Sequence, residues 1–294
     1  MHRRLIGAAL VLALSAMSGL AFGPVPPIDL ATTLQRVGER VEQHFTRAQS
    51  LMCLERVDLH PLGGQLGALG LGRRVESELR VSWDPLTQVT SLPEARMLRE
   101  VLKVNGRAPR RNDPNACTTP EQDSTETHPL SMLLPGQQSE YRFSPVGRGR
   151  VDQRAVIVLD YKSPAKPSID VHRVAGTEDC ISFSITGGTR GRLWIDAETY
   201  DVLRLDHGLN GLIDIAVPPK PSRRHERQFW TLERLDTSIR FKPVNFQDPE
   251  ETLTLPVSLS SLMITRGAGT PQLRTMTEYS NYKRFLTGGR IVKE

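Results

Sequence analysis

Six histidines follow the first 23 residues of this 294-residue chain, at His44, His60, His128, His172, His207 and His225. Metal sites usually draw ligands in close pairs. No two of these histidines lie two to four residues apart, so none forms a local metal site. The cysteines Cys53, Cys117 and Cys180 are equally dispersed, with spacings of 64 and 63 residues. Two acid–base pairs can be formed on paper, Asp170 with His172 and Asp206 with His207. Neighbours at i and i+1 face opposite sides of a strand, so only the first pair can share a face, and it reads as a solvated edge. The chain has no G-x-S-x-G elbow, no H-E-x-x-H and no Walker loop. Gly67, Gly70 and Gly72 run G-x-x-G-x-G, the reverse of a dinucleotide fingerprint, and read as a loop. No catalytic residue, metal or cofactor is therefore expected, and the chain reads as a binding or structural protein.

The elements that would carry these side chains are mostly strands. Leu30, Leu34, Val37, Val41, Phe45 and Ala48 recur at spacings of three and four between polar residues. That pattern predicts an amphipathic helix over about residues 30–50, with Asp29 as its cap. Its apolar stripe serves either as a lid over a cavity or as a plain core face. The period then falls to two. Val75, Ser77, Leu79, Val81 and Trp83 alternate with polar residues as in a half-buried strand. Leu98–Val104 runs into Asn105-Gly106, a tight-turn dipeptide. Further strands are predicted at 155–159, 180–185, 193–195, 202–205, 230–241, 253–265 and 273–282. Nine or ten strands without intervening helices indicate a mainly β fold (α+β), a large curved antiparallel sheet or half-open barrel with the helix on its concave face. Residues 63–72, 107–138 and 218–227 read as loops, the last two as insertions.

The N-terminus sets the compartment. His2, Arg3 and Arg4 precede an uncharged run from Leu5 to Phe22, then Ala21 and Gly23 two apart, then prolines. This is the order of a cleaved signal peptide, residues 1–23, which leaves a single domain over 24–294 that is periplasmic or secreted; a membrane anchor is the alternative. Without Arg3 and Arg4 the 38 Lys and Arg become 36, against 33 Asp and Glu. So small an excess, spread along a chain poor in aromatics, argues against nucleic acid as a partner. The basic run Lys220, Arg223, Arg224 and Arg227 is either a solvated loop or a contact to an anionic membrane surface, worth ~1 kcal/mol per residue. In an exported chain Cys53 and Cys180 are the expected disulfide, since Cys117 lies in a polar, proline-bounded segment.

The stretch Gly191-Arg192-Leu193-Trp194-Ile195-Asp196-Ala197-Glu198-Thr199, followed by Val202-Leu203-Arg204-Leu205, resembles a hairpin of the LolA/LolB-like superfamily of periplasmic lipoprotein carriers. It resembles still more a set of uncharacterised exported proteins of soil bacteria related to that superfamily. Cys53-Leu54-Glu55-Arg56, Val104-Asn105-Gly106-Arg107 and Glu278–Phe285 fit the same set. The resemblance implies a half-open barrel whose concave side holds acyl chains, and it carries over no catalytic residue. The expected role is an exported binding module for an acyl chain, a lipoprotein or another apolar ligand. The alternative is a structural or partner-binding envelope protein. Leu34, Val37, Val41, Phe45, Val75, Leu79, Val81, Trp83, Trp194 and Leu203 are the candidate walls of the cavity or core. A carrier would keep a connected apolar cavity on the order of several hundred Å3.

Overall fold

The computed structural model describes residues 27–83, 93–110, 113, 123–173, 181–217, 228–267 and 272–284. One α-helix, α1 (Leu30–Arg47), leads into the strands β1 (Ser50–Pro61), β2 (Arg73–Trp83), β3 (Glu94–Val104) and β4 (Asp123–Thr127). Two short 3-10 helices, Pro129–Leu133 and Gln138–Glu140, precede β5 (Arg142–Val151), β6 (Arg154–Lys162), β7 (Ser168–Arg173) and β8 (Ile181–Thr186). Then come β9 (Thr189–Asp196), β10 (Val202–Leu209), β11 (Ile213–Val217), β12 (Gln228–Gln247), β13 (Glu250–Arg266) and β14 (Gln272–Arg284). Twelve strands form one antiparallel sheet in the order β4-β3-β2-β1-β14-β13-β12-β10-β9-β6-β5, with β11 paired to β12 off this path. β7 and β8 form a separate hairpin.

The sheet is open and curved, and the helix shows why. Phe45 packs edge-on against Trp83 of β2, while α1 also runs against β5 at the far end of the strand order. Eight strand spacings separate β2 from β5, about 38 Å if the sheet were flat. A single helix about 10–12 Å across reaches both only if the sheet curls around it. The main core accordingly joins Val37, Val41 and Phe45 of α1 to Trp83 and Ala95 on one side and to Ile157, Leu159 and Leu193 on the other.

The described residues hold five strands beyond those expected, β1, β4, β5, β7 and β11. In β1 the buried positions are Leu51, Cys53, Glu55, Val57 and Leu59, so a carboxylate interrupts the apolar alternation. It is tolerated because Arg99 of β3 donates to Glu55 Oε2 at 2.8 Å. β5 is an edge strand with Pro145, Gly147 and Gly149, and its weak pattern is that of an edge. Segment 107–138, expected as a loop, contains β4 and the buried Leu130, Met132, Leu133 and Leu134. An apolar quartet in a polar stretch needs burial, and the 3-10 turn supplies it. Segment 218–227, with Lys220, Arg223, Arg224 and Arg227, lies outside the described residues.

Two turns formed where their chemistry placed them. Asn105 and Gly106 have φ of 50° and 78°, the two positive values of a type I′ hairpin turn. In the β9–β10 connection Asp196 Oδ1 accepts from Glu198 N at 2.9 Å and Thr199 N at 2.8 Å. Its other oxygen meets Arg154 Nε at 2.8 Å.

Candidate functional site

The helix begins where its sequence said it would. Asp29 caps it by accepting from Thr32 N at 3.1 Å. Its stripe is fully enclosed, Val37 at 0%, Val41 at 3% and Phe45 at 2% exposure, with Leu34 partly buried beside it. Gly38 lets the 3-10 turn approach: a Cβ there would meet Gln138 Nε2 at 2.8 Å. Gln138 Nε2 instead donates to Leu34 O at 2.9 Å and to Leu133 O at 2.7 Å, which ties the helix to that turn. Arg40 pairs with Asp201 at 2.7 Å and Arg47 with Glu251 at 2.9 Å, the latter also held by Arg284. The helix is thus fastened at its middle and at its last turn.

Beyond the C-terminal end of α1 the concave face is not filled. A cavity of about 160 Å3 remains between the β1–β3 strands and β12–β14. Leu79, Val81 and Trp83 of β2 face Phe241, Leu255 and Leu259 across it. Cys53, Met97, Tyr279 and Tyr282 line it further, and His44 with His128 and Pro129 complete the wall. This is smaller than the several hundred Å3 that a carrier would keep. The helix stripe and the buried Leu130–Leu134 segment occupy the rest of the concavity.

The candidate residues therefore divide. Leu79, Val81 and Trp83 line the cavity. Leu34, Val37, Val41 and Phe45 pack into the core beside it. Val75 belongs to a separate small cluster with Val57 and Leu59. Trp194 and Leu203 are not on the concave side: they pack with Val156 and Val158 on the other face, where Arg204 lies 4.5 Å over the Trp194 ring. Trp194 alternates with the inward Leu193 and Ile195. Leu203 should have faced inward with Leu205, but a bulge between Val202 and Arg204 shifts the register and turns it outward. Cys53 is buried, and Cys180 lies outside the described residues, as does Cys117.

The electrostatics of the cavity favour neutral groups. Burial lowers the His44 pKa to about 4, with Asp201 opposing and Arg40 and Arg47 assisting. Burial, then the neighbouring His44, lowers that of His128 to about 3. Burial and then Glu55 push the Cys53 thiol up to about 12, so it stays protonated and is no nucleophile. Tyr282 is also raised by burial, and its hydroxyl donates to Pro256 O at 2.5 Å. Apolar walls, protonated thiol and phenol, and two neutral imidazoles suit the binding of an apolar group.

A larger, open hollow of about 680 Å3 lies over β6, β9, β10, β12 and β13. Arg192 pairs there with Asp160 at 2.6 Å, Asp206 with Arg204 at 2.8 Å, and Arg234 with Asp236, while Lys162, Arg190 and Arg274 line the hollow as well. Asp206 and His207 point to opposite faces, as the strand rule requires. Asp206 accepts from Ser238, whereas the His207 ring meets the Tyr161 hydroxyl at 2.6 Å. Gly191 opposite them must be glycine, since a Cβ would fall 2.0 Å from Asp206 O.

Sequence reasoning missed His44 and His128. His44 had a signal, since it stands three residues after Val41 and four before Ala48, on the edge of the apolar stripe. His128 had none: it reaches the cavity only through the fold of the Pro129–Leu133 turn.

No protein-family model and no curated protein matches the chain. Among solved structures it is similar to an outer membrane lipoprotein-sorting protein domain from Vibrio parahaemolyticus, at 8% identity over 90% of this chain and 94% of that one, with a TM-score of 0.42. It is similar to a DUF1329 family protein from Desulfovibrio piger, at 11% identity over 88% and 94%, TM-score 0.37. A LolA superfamily protein from Nitrosomonas europaea is similar at 8% identity over 89% and 97%, TM-score 0.32. At such identities no side-chain role carries over, and the site rests on its own geometry.

Proposed function

We propose that this chain is an exported, non-enzymatic binding module that holds the apolar end of an acyl chain, carried by a lipid or lipoprotein, between the end of α1 and the curved sheet. The observation that carries this reading is the 160 Å3 cavity, walled by Leu79, Val81, Trp83, Leu255 and Leu259 and free of charged side chains among its lining residues. An apolar cavity of about 150 Å3 stays dry and takes up a molecule the size of benzene. The cavity therefore has room for roughly six carbons, the tip of a longer chain. The uncharged run Leu5–Phe22 supports export. Native mass spectrometry of protein purified from the cell envelope tests the reading. An adduct with the mass of an acylated molecule is expected; bare protein that also binds no added fatty acyl ester would refute it.

One observation favours a second reading, an envelope protein that binds a partner. Leu69 and Leu71, in the β1–β2 connection, are 63% and 97% exposed. Bare protein whose mobility changes only with a partner would support that alternative.

A further inference from the structure

Of the two histidines of the cavity, His128 uses one ring nitrogen to cap the 3-10 turn, and His44 makes no hydrogen bond through its ring among the described residues. Leu130 N donates to His128 Nδ1 at 3.1 Å, so that nitrogen carries no proton. In the neutral ring the proton then sits on Nε2, which becomes a donor. Among the described residues no hydrogen bond is made by His128 Nε2 or by either ring nitrogen of His44. The rings lie 5.7 Å apart and are wrapped by Phe45, Trp83 and Phe241. Both are enclosed by protein, yet both keep accessible surface and line the cavity. The described polar atoms that are sealed off without a partner include none of these nitrogens, so His128 Nε2–H opens onto the cavity, where an occupant that brings an acceptor would meet it.

We propose that His128, assisted by His44, is the polar anchor of this cavity, and that its occupant is an acyl chain whose ester or amide carbonyl accepts from His128 Nε2–H while its methylene end lies against Leu79, Cys53 and Tyr282. This rests on the reading of the cavity as an acyl site. The acceptor is a neutral carbonyl because the surroundings offer a carboxylate no cation. Both imidazoles are held neutral by burial, and Arg40 and Arg47, the cations nearest His44, are engaged by Asp201 and Glu251. An unpaired carboxylate in such a setting is costly. The class of ligand is therefore esterified or amide-linked acyl groups rather than free fatty acids.

The test is a titration of the full mature chain with methyl hexanoate, hexanoate and hexane, followed by the ring nitrogen resonances of His44 and His128. Methyl hexanoate is expected to bind about tenfold more tightly than hexane and to shift His128 Nε2, with hexanoate weaker than the ester at pH 7. In His128→Phe that preference should vanish while hexane binding persists. His44→Phe, which leaves the Leu130 cap in place, should reduce it in part. Hexanoate bound more tightly than the ester would overturn the choice of a neutral carbonyl. Equal binding of ester and hexane, with an unmoved His128 resonance, would overturn the anchor and leave the acyl site standing. Absence of binding by all three would remove the acyl site itself.

Discussion

Val41→Asp separates a core helix from a movable lid. Val41 is 3% exposed, lies inside the main core and does not touch the cavity. Replacing it removes about 1.5–3 kcal/mol of apolar burial. The new carboxyl is buried, which raises its pKa by about three units, or ~4 kcal/mol at neutral pH. The sum, ~6 kcal/mol, rivals the whole stability of an ordinary domain and corresponds to a fall in Tm of roughly 12–24 °C. The penalty has a pH signature. A carboxyl whose folded pKa is raised costs least below its unfolded pKa and most above its folded one, so the deficit should shrink from pH 7 to pH 4. Circular dichroism melts at both pH values measure this, with the exposed Gln35→Asp as a control expected within about 0.5 kcal/mol of wild type. A Val41→Asp protein that melts like wild type but no longer takes up a fluorescent fatty acid would refute the reasoning and make α1 a lid.

Val81→Phe should fill the cavity, and because it occupies empty space its unfolding midpoint in urea should stay within about 1 kcal/mol of wild type; a loss of 1–3 kcal/mol would indicate an overpacked, cavity-free core. Glu55→Gln removes the charge from the buried Glu55–Arg99 pair, where Arg99 is 9% exposed, and should lower stability by denaturation, part of it recovered in Glu55→Gln/Arg99→Met. The lowered folded pKa values of His44 and His128 mean that the unfolded chain takes up protons first as pH falls. Stability should therefore decline from about pH 6.5 toward pH 4, on the order of several kcal/mol, and His44→Phe should flatten that slope; an unchanged slope would contradict the burial of the ring. Asp113, held at about 2 chiefly by Arg107, titrates below this window.

Local chemistry was legible in the sequence where one element sufficed to express it. The stripe of α1, its Asp29 cap, the Asn105-Gly106 turn and the β9–β10 hairpin each follow from residues within about fifteen positions of one another. The alternation of β2 placed Leu79, Val81 and Trp83 on one face, and that face lines the cavity. Features set by distant partners were hidden. Glu55 breaks the pattern of β1 because its compensation, Arg99, arrives from β3. Which core Leu203 joins was hidden because a bulge, not the alternation, decides its face. The cavity itself is assembled from six strands, one helix end and a 3-10 turn, so no window of sequence contains it. Its small size was not legible either, because the Pro129–Leu134 segment, polar on both sides, gave no sign that it fills the concave face.

The acyl site is tested most directly by equilibrium binding of a fluorescent fatty acyl ester to wild-type residues 24–294 and to the same chain with Val81→Phe. Saturable binding by wild type, displaced by methyl hexanoate and lost in a Val81→Phe protein that still melts cooperatively, is the expected result. No binding by wild type, or equal binding by both, would contradict it.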